Sequence, residues 1–171
     1  MDLGIKGRRA IICAGSKGLG RATAFSLARE GVDIVLFART QSTLDATAEE
    51  IRRETGARVD TVAGDVATEE GRAALLDAFP DADILVNNPG GRQIPGDFRS
   101  FSRDEWLRWI DAQMLSAMAL IQALVPGMTE RRFGRIINIT VSFVKFPQIG
   151  FAHSHAARLA RTGAVASIAR E

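Results

Sequence analysis

A chain of 171 residues, 46% hydrophobic and 25% charged, is large enough to bury a core and excludes a disordered polypeptide. A formal net charge of only +2, with Lys and Arg scattered along the chain, argues against a nucleic-acid partner. The single cysteine, Cys13, excludes an internal disulfide and fits a reducing compartment. The N-terminus "MDLGIKGRRA" has no apolar targeting core, and no apolar run approaches membrane-spanning length, so a cytoplasmic protein without a membrane partner is expected.

The elements alternate. "RRAIICAG" is an isoleucine-rich run ending in small residues, the mark of a buried strand. "RATAFSLAREG" puts Ala24, Phe25, Leu27 and Ala28 on a helical stripe, with Gly31 as a stop. "DIVLFAR" predicts a second strand, "STLDATAEEIRRETG" a polar-faced helix ending at Gly56, and "RVDTVAGD" a third strand. "TEEGRAALLDAF" is a helix closed by Pro80, and "ADILVNN" a fourth strand. Ser102 and Glu105 in "SRDE" make a capping box before the long helix "EWLRWIDAQMLSAMALIQALV", which Pro126 should bend or end. "GRIINIT" is a fifth strand, and "HAARLARTGAVASIARE" a closing helix. Short apolar strands joined by helices give βαβ units. The expected fold is therefore a single α/β domain over residues 1–171: a Rossmann-type doubly wound parallel sheet in three αβα layers, in the order 3-2-1-4-5.

The first strand runs into Cys13-Ala14-Gly15-Ser16-Lys17-Gly18-Leu19-Gly20 and then directly into a helix. Glycines let a backbone approach a pyrophosphate, and the helix N-terminus supplies unpaired N–H groups, so a bound dinucleotide is expected here. The second strand ends "FAR". Ala38 leaves empty the place where an acidic residue would hold a ribose 2′-hydroxyl, and Arg39 follows it. With Lys17 as a second cation, the pattern favours NADP(H) over NAD.

These residues resemble the short-chain dehydrogenase/reductase family, including the bacterial 3-oxoacyl-acyl-carrier-protein reductases, along the whole chain. "CAGSKGLG" stands for the family's TGxxxGxG loop, Asp65-Val66 for its adenine-contacting pair, and Asn87, Asn88, Pro89 and Gly90 for its NNAG. "GRIINIT" matches the strand leading to its catalytic serine. The resemblance implies hydride transfer between a nicotinamide and a carbonyl or alcohol carbon of a small-molecule substrate. It also implies a homodimer or homotetramer, here through the helix carrying Trp106, Trp109 and Met114 and through the closing helix. In the family a tyrosine acts as acid and base, and a lysine four residues later lowers its pKa and holds the ribose. A serine polarises the carbonyl, and an asparagine on the long helix organises a water.

Each of those four positions is altered. Val141 stands at the serine position with Ser142 one step late, Ser154 at the tyrosine, Arg158 at the lysine, and Gln113 at the asparagine. Ala14 replaces the first loop glycine, and Pro89 the alanine of NNAG. A serine hydroxyl titrates too high to replace a phenol near pH 10. Arg158 keeps a charge that can hold ribose hydroxyls but cannot share a proton. His153 and His155, flanking Ser154, are the nearby groups that titrate near neutrality, so one of them is a substitute acid or both are polar residues of a helix start. Residues at i and i+2 do not share a helix face, so at most one points into the site, and no metal site is expected. Ser142 or Thr140 would polarise a carbonyl. Lys145 either binds an acidic group or faces water, and Cys13 packs in the interior.

On the resemblance, two further strands and a substrate loop would follow the closing helix. Without them the fifth strand is a sheet edge that another segment or a second chain would complete. Two readings follow: an NADP(H)-dependent oxidoreductase with an altered catalytic tetrad, or a non-catalytic dinucleotide-binding sensor or regulatory subunit.

Overall fold

A computed structural model describes residues 2–90 and 95–171. Five parallel strands form one sheet: β1 (Arg9–Cys13), β2 (Asp33–Ala38), β3 (Val59–Ala63), β4 (Ile84–Asn87) and β5 (Arg135–Asn138). Their order is β3-β2-β1-β4-β5, as the βαβ alternation predicts. The order reverses between β1 and β4, which pair from Ala10↔Ile84 to Ile12↔Val86.

The continuous apolar runs exist because both sheet faces are covered. Alternate β1 residues serve opposite faces. Ala10 and Ile12 join Ile34, Leu36, Ile84 and Val86 in a core with Ala24 and Phe25 of helix α1 (Gly18–Arg29) and Leu44 and Ile51 of helix α2 (Gln41–Thr55). Ile11 and Cys13 join Val35, Phe37 and Leu85 in the other core, with Leu75 of α3 (Glu69–Ala78) and Leu120, Ile121, Leu124 and Met128 of a later helix. Each isoleucine or leucine so buried contributes about 1.5–3 kcal/mol.

The long helix is built in three pieces. The predicted capping box forms: the Ser102 hydroxyl accepts from the Glu105 N–H, and the Glu105 carboxylate accepts from the Ser102 N–H, opening α4 (Arg103–Ile110). A π-helical turn spans Asp111–Leu115, and α5 covers Ser116–Glu130. Of the two outcomes expected at Pro126, an end to the helix is excluded: it continues to Glu130 with the exposed proline inside it. One expectation is corrected here. The run Arg103–Glu130 is, by length and composition, long and apolar enough to cross a membrane. In this fold Leu120, Ile121, Leu124 and Met128 of that run are buried in the second core. Helix α6 (Ala152–Ile168) closes the chain.

Candidate active site

The glycine loop joins β1 to α1 along a path that few residues permit. Gly18 has φ of +53°, and a Cβ on Gly20 would lie 2.3 Å from the Ala14 carbonyl oxygen. Ala14 adopts φ of +49°, the left-handed region, at the position where the family pattern has glycine. The Thr47 hydroxyl donates to the Ser16 carbonyl at 3.2 Å and ties the loop to α2.

A cleft of about 570 Å³ opens over the loop at the C-terminal ends of the strands, beside the point where the strand order reverses. Ala14, Ser16, Lys17, Gly18 and Leu19 form one wall. Phe37, Ala38 and Arg39 follow, with Thr40 and Thr43 at the start of α2. Asp65 and Val66 lie on one side, and Asn88, Pro89, Gly90 and Ala112 close the other. Most of the residues expected to bind a cofactor therefore meet in one cleft. Gly15, Gly20, Asn87 and Arg158 do not line it; the first three shape it from behind. A Cβ on Gly15 would strike Leu36 at 2.8 Å, and the Asn87 amide donates to the Asn138 side-chain oxygen at 3.1 Å, joining β4 to β5. Thr40, Thr43 and Ala112 line the cleft without having been expected there. The run "RTQST" after Arg39 signalled the two threonines, since hydroxyls at a helix start face whatever the helix end binds.

The cleft is electropositive. Lys17 and Arg39 are exposed, and neither is in an ion pair among the described residues. The N-cap residues of α1 and α2, Lys17 and Thr40, make no side-chain cap, so both helix starts offer backbone N–H groups. Asp65 accepts from the Ala67 N–H at 3.0 Å, which fixes the turn after β3. These donors, cations and glycine cradles fit a phosphorylated dinucleotide. Cys13 sits behind the loop, and burial pushes its thiol up to about 12, so it packs rather than reacts.

The altered tetrad falls beyond the cleft. Gln113 stands in the middle of the π turn, a geometry that accompanies functional sites, and that turn packs against α6. Gln113 is 1% exposed, Ser154 0% and Arg158 6%. The Gln113 Oε1, Ser154 Oγ and Arg158 Nε are sealed from solvent and have no hydrogen-bond partner among the described residues. Ser142 is exposed at the start of a 3₁₀ turn (Ser142–Val144), Val141 is half-buried beside it, and Thr140 and Lys145 are exposed. The two histidines diverge. His153 is buried edge-on against Phe101, with ring centroids 4.4 Å apart, and against Trp109 at 4.5 Å. Burial holds it below the usual imidazole range, with the Glu105 carboxylate opposing the shift. His155 is half-buried with its Nε2 sealed and unpartnered among the described residues.

Sequence reasoning missed Arg161. It is 1% exposed, and its Nη2 donates to the Ile139 carbonyl at 2.6 Å. The signal was present: Arg161 lies three residues past Arg158 and seven past Ser154, on the same helical stripe.

A doubly wound sheet with a glycine-loop cleft at its reversal point defines a Rossmann-type dinucleotide-binding domain. The chain belongs to the short chain dehydrogenase family, whose profile matches residues 8–171. It is 31% identical over 159 residues to the uncharacterized oxidoreductase YvaG of Bacillus subtilis, covering 92% of this chain and 60% of that protein. It is 35% identical over 144 residues to a very-long-chain 3-oxoacyl-CoA reductase of Aspergillus clavatus, covering 81% of this chain and 41% of that protein. The crystal structure of L-sorbose reductase from Gluconobacter frateurii, complexed with NADPH and L-sorbose, superposes with a TM-score of 0.94 at 33% identity. That superposition covers 99% of this chain and 66% of the reductase. The chain thus spans about two fifths to two thirds of the length of these relatives.

Proposed function

We propose that the protein is an NADP(H)-dependent oxidoreductase that interconverts a ketone and an alcohol, a ketone, NADPH and a proton giving the alcohol and NADP⁺. The observation that carries this reading is the couple Lys17 and Arg39, in no ion pair among the described residues, beside the glycine-loop cleft, with Ala38 where a carboxylate would reject a 2′-phosphate. The NADPH-complexed L-sorbose reductase and the 3-oxoacyl-CoA reductase among its relatives support the cofactor and the carbonyl chemistry.

The nicotinamide, when bound, supplies the hydride. The chain's residues supply position, polarisation and a proton. Ser142 or Thr140, at the exposed end of β5, donates a hydrogen bond to the substrate oxygen. The three orphaned polar atoms of Gln113, Ser154 and Arg158 suit an ordered water, which needs two to four partners. That water, replenished from solvent or from His155, delivers the proton that a phenol delivers in the family pattern. His153 serves packing. The substrate is a 3-oxoacyl compound or a similar ketone.

The sealed Gln113, Ser154 and Arg158 also favour a second reading, a dinucleotide-binding protein without turnover. Steady-state NADPH oxidation with a panel of ketones separates the two, run on the parent and on a Ser154→Tyr, Arg158→Lys, Val141→Ser variant. The variant regains a general acid, so its rate should exceed the parent's by about 10²–10⁴. NADPH binding with no turnover by either protein would establish the second reading.

A further inference from the structure

Helix α6 turns two arginines into the interior. Arg158 and Arg161 lie one turn apart on its buried face, 6% and 1% exposed. Every ion pair among the described residues lies elsewhere, and neither guanidinium has a carboxylate partner. Arg161 makes one hydrogen bond, from Nη2 to the neutral Ile139 carbonyl. Its Nη1 and the Arg158 Nε are sealed and have no partner among the described residues. Two like charges brought together inside a protein without an anion repel each other and lose their hydration. Burial and, after it, the neighbouring Arg158 bring Arg161 down to about 10, and burial lowers Arg158 as well. Guanidinium donors arranged this way match a carboxylate or phosphate.

Position narrows the ligand. Ile139 directly follows β5, so Arg161 is anchored at the C-terminal end of the sheet, where ligands bind in doubly wound folds. Arg158 is one turn from Ser154, and both stand on the helix that packs against the Gln113 turn. The cofactor's phosphate groups have their own donors at the glycine loop and at Lys17 and Arg39, next to β1 and β2. The arginine couple belongs to the β5 side, with the reacting carbon.

We propose that Arg158 and Arg161 form an oxyanion subsite, and that the group it takes is the free carboxylate of an oxo-acid substrate. This rests on the oxidoreductase reading above and refines it: the acid, rather than its thioester or an uncharged ketone, is the preferred substrate.

The test compares acetoacetate with methyl acetoacetate, which carry the same ketone with and without the charge, on NADPH-loaded protein. Calorimetry should show acetoacetate binding at least about tenfold more tightly than the ester, with kcat/KM in the same order. The acid-to-ester ratio should fall towards one in Arg161→Met, whose apolar side chain of similar length removes a buried charge. It should be partly kept in Arg161→Lys. A residue that only held Ile139 would leave that ratio unchanged. Should Arg161→Met fail to fold, the acid-to-ester comparison on the unaltered protein decides alone.

Inorganic phosphate is the third probe. Phosphate binding with no preference for acetoacetate over its ester would overturn the substrate assignment, and binding of neither anion would overturn the subsite. NADPH affinity, titrated separately, keeps the two claims apart. No NADPH binding sinks the oxidoreductase reading, whereas NADPH binding with no response to anions sinks the subsite alone.

Discussion

Ala14 holds a left-handed backbone in the centre of the cofactor loop, where a Cβ costs roughly 1–2 kcal/mol. Ala14→Gly removes that cost and adds back about 0.5–1 kcal/mol of unfolded-state freedom. The variant should therefore melt slightly above the parent in calorimetry, and a lower Tm would show the loop to be unstrained. His153 gives a pH test. Its folded pKa lies below the ordinary 6.5, so the unfolded chain takes up its proton first. The stability it contributes is fully present above about pH 6.5 and is lost as the pH falls through the folded value. His153→Phe, which suits the cluster with Phe101 and Trp109, should flatten the fall in Tm between pH 7 and 5; parallel curves would refute it. The sequence showed that the two histidines must diverge, because i and i+2 lie on different helix faces. Which of them would pack was set by where α4 carries Phe101's neighbour Trp106 and Trp109, a tertiary matter that local spacing does not reach.

At the level of elements, the strands were legible because burial on both faces leaves an unbroken apolar run, and the α4 start because a capping box is written in four consecutive residues. The π turn was not legible, since "DAQML" has ordinary helical composition and nothing in its local spacing marks an extra residue; the turn packs against α6. Whether Pro126 would end the helix was not legible for a related reason. Its break falls on an exposed part of α5, while Leu124 and Met128 on either side anchor the helix in the core. The proline removes one backbone donor without ending the element. Pro126→Ala should restore that bond and raise stability by about 1–3 kcal/mol in urea unfolding. A neutral or destabilising result would mean that the helix depends on the proline.

At the scale of the whole molecule, β3 and β5 are the two edge strands of the sheet. β5 alternates exposed Arg135 and Ile137 with half-buried Ile136 and Asn138. A groove of about 570 Å³ beside it is lined by Val125, Met128, Phe133, Ile136, Val165 and Ile168. Trp106 and Trp109, expected at a subunit interface, are half-buried within the molecule, and Leu107, Leu115 and Leu159 are the exposed apolar residues of those helices. Self-association through this surface should appear in sedimentation at micromolar concentration and weaken in Leu115→Glu; a monomer throughout would count against it.

The glycine loop, Lys17, Arg39 and the bare Ala38 were all readable in sequence, because cofactor recognition rests on backbone turns and charges close together in the chain. The helical stripe shared by Ser154, Arg158 and Arg161 was readable too, but the burial of the two arginines without a carboxylate was not, because a buried charge looks like any surface arginine until its neighbours are known. The claim on which everything else depends is that this cleft selects a 2′-phosphate. Isothermal calorimetry with NADPH and with NADH, on the parent and on Arg39→Ala, tests it directly. The parent should bind NADPH more tightly by about 1.5–3 kcal/mol, roughly tenfold to a hundredfold, and Arg39→Ala should lose most of that margin. Equal affinity for the two cofactors, or a ratio untouched by Arg39→Ala, would contradict the account.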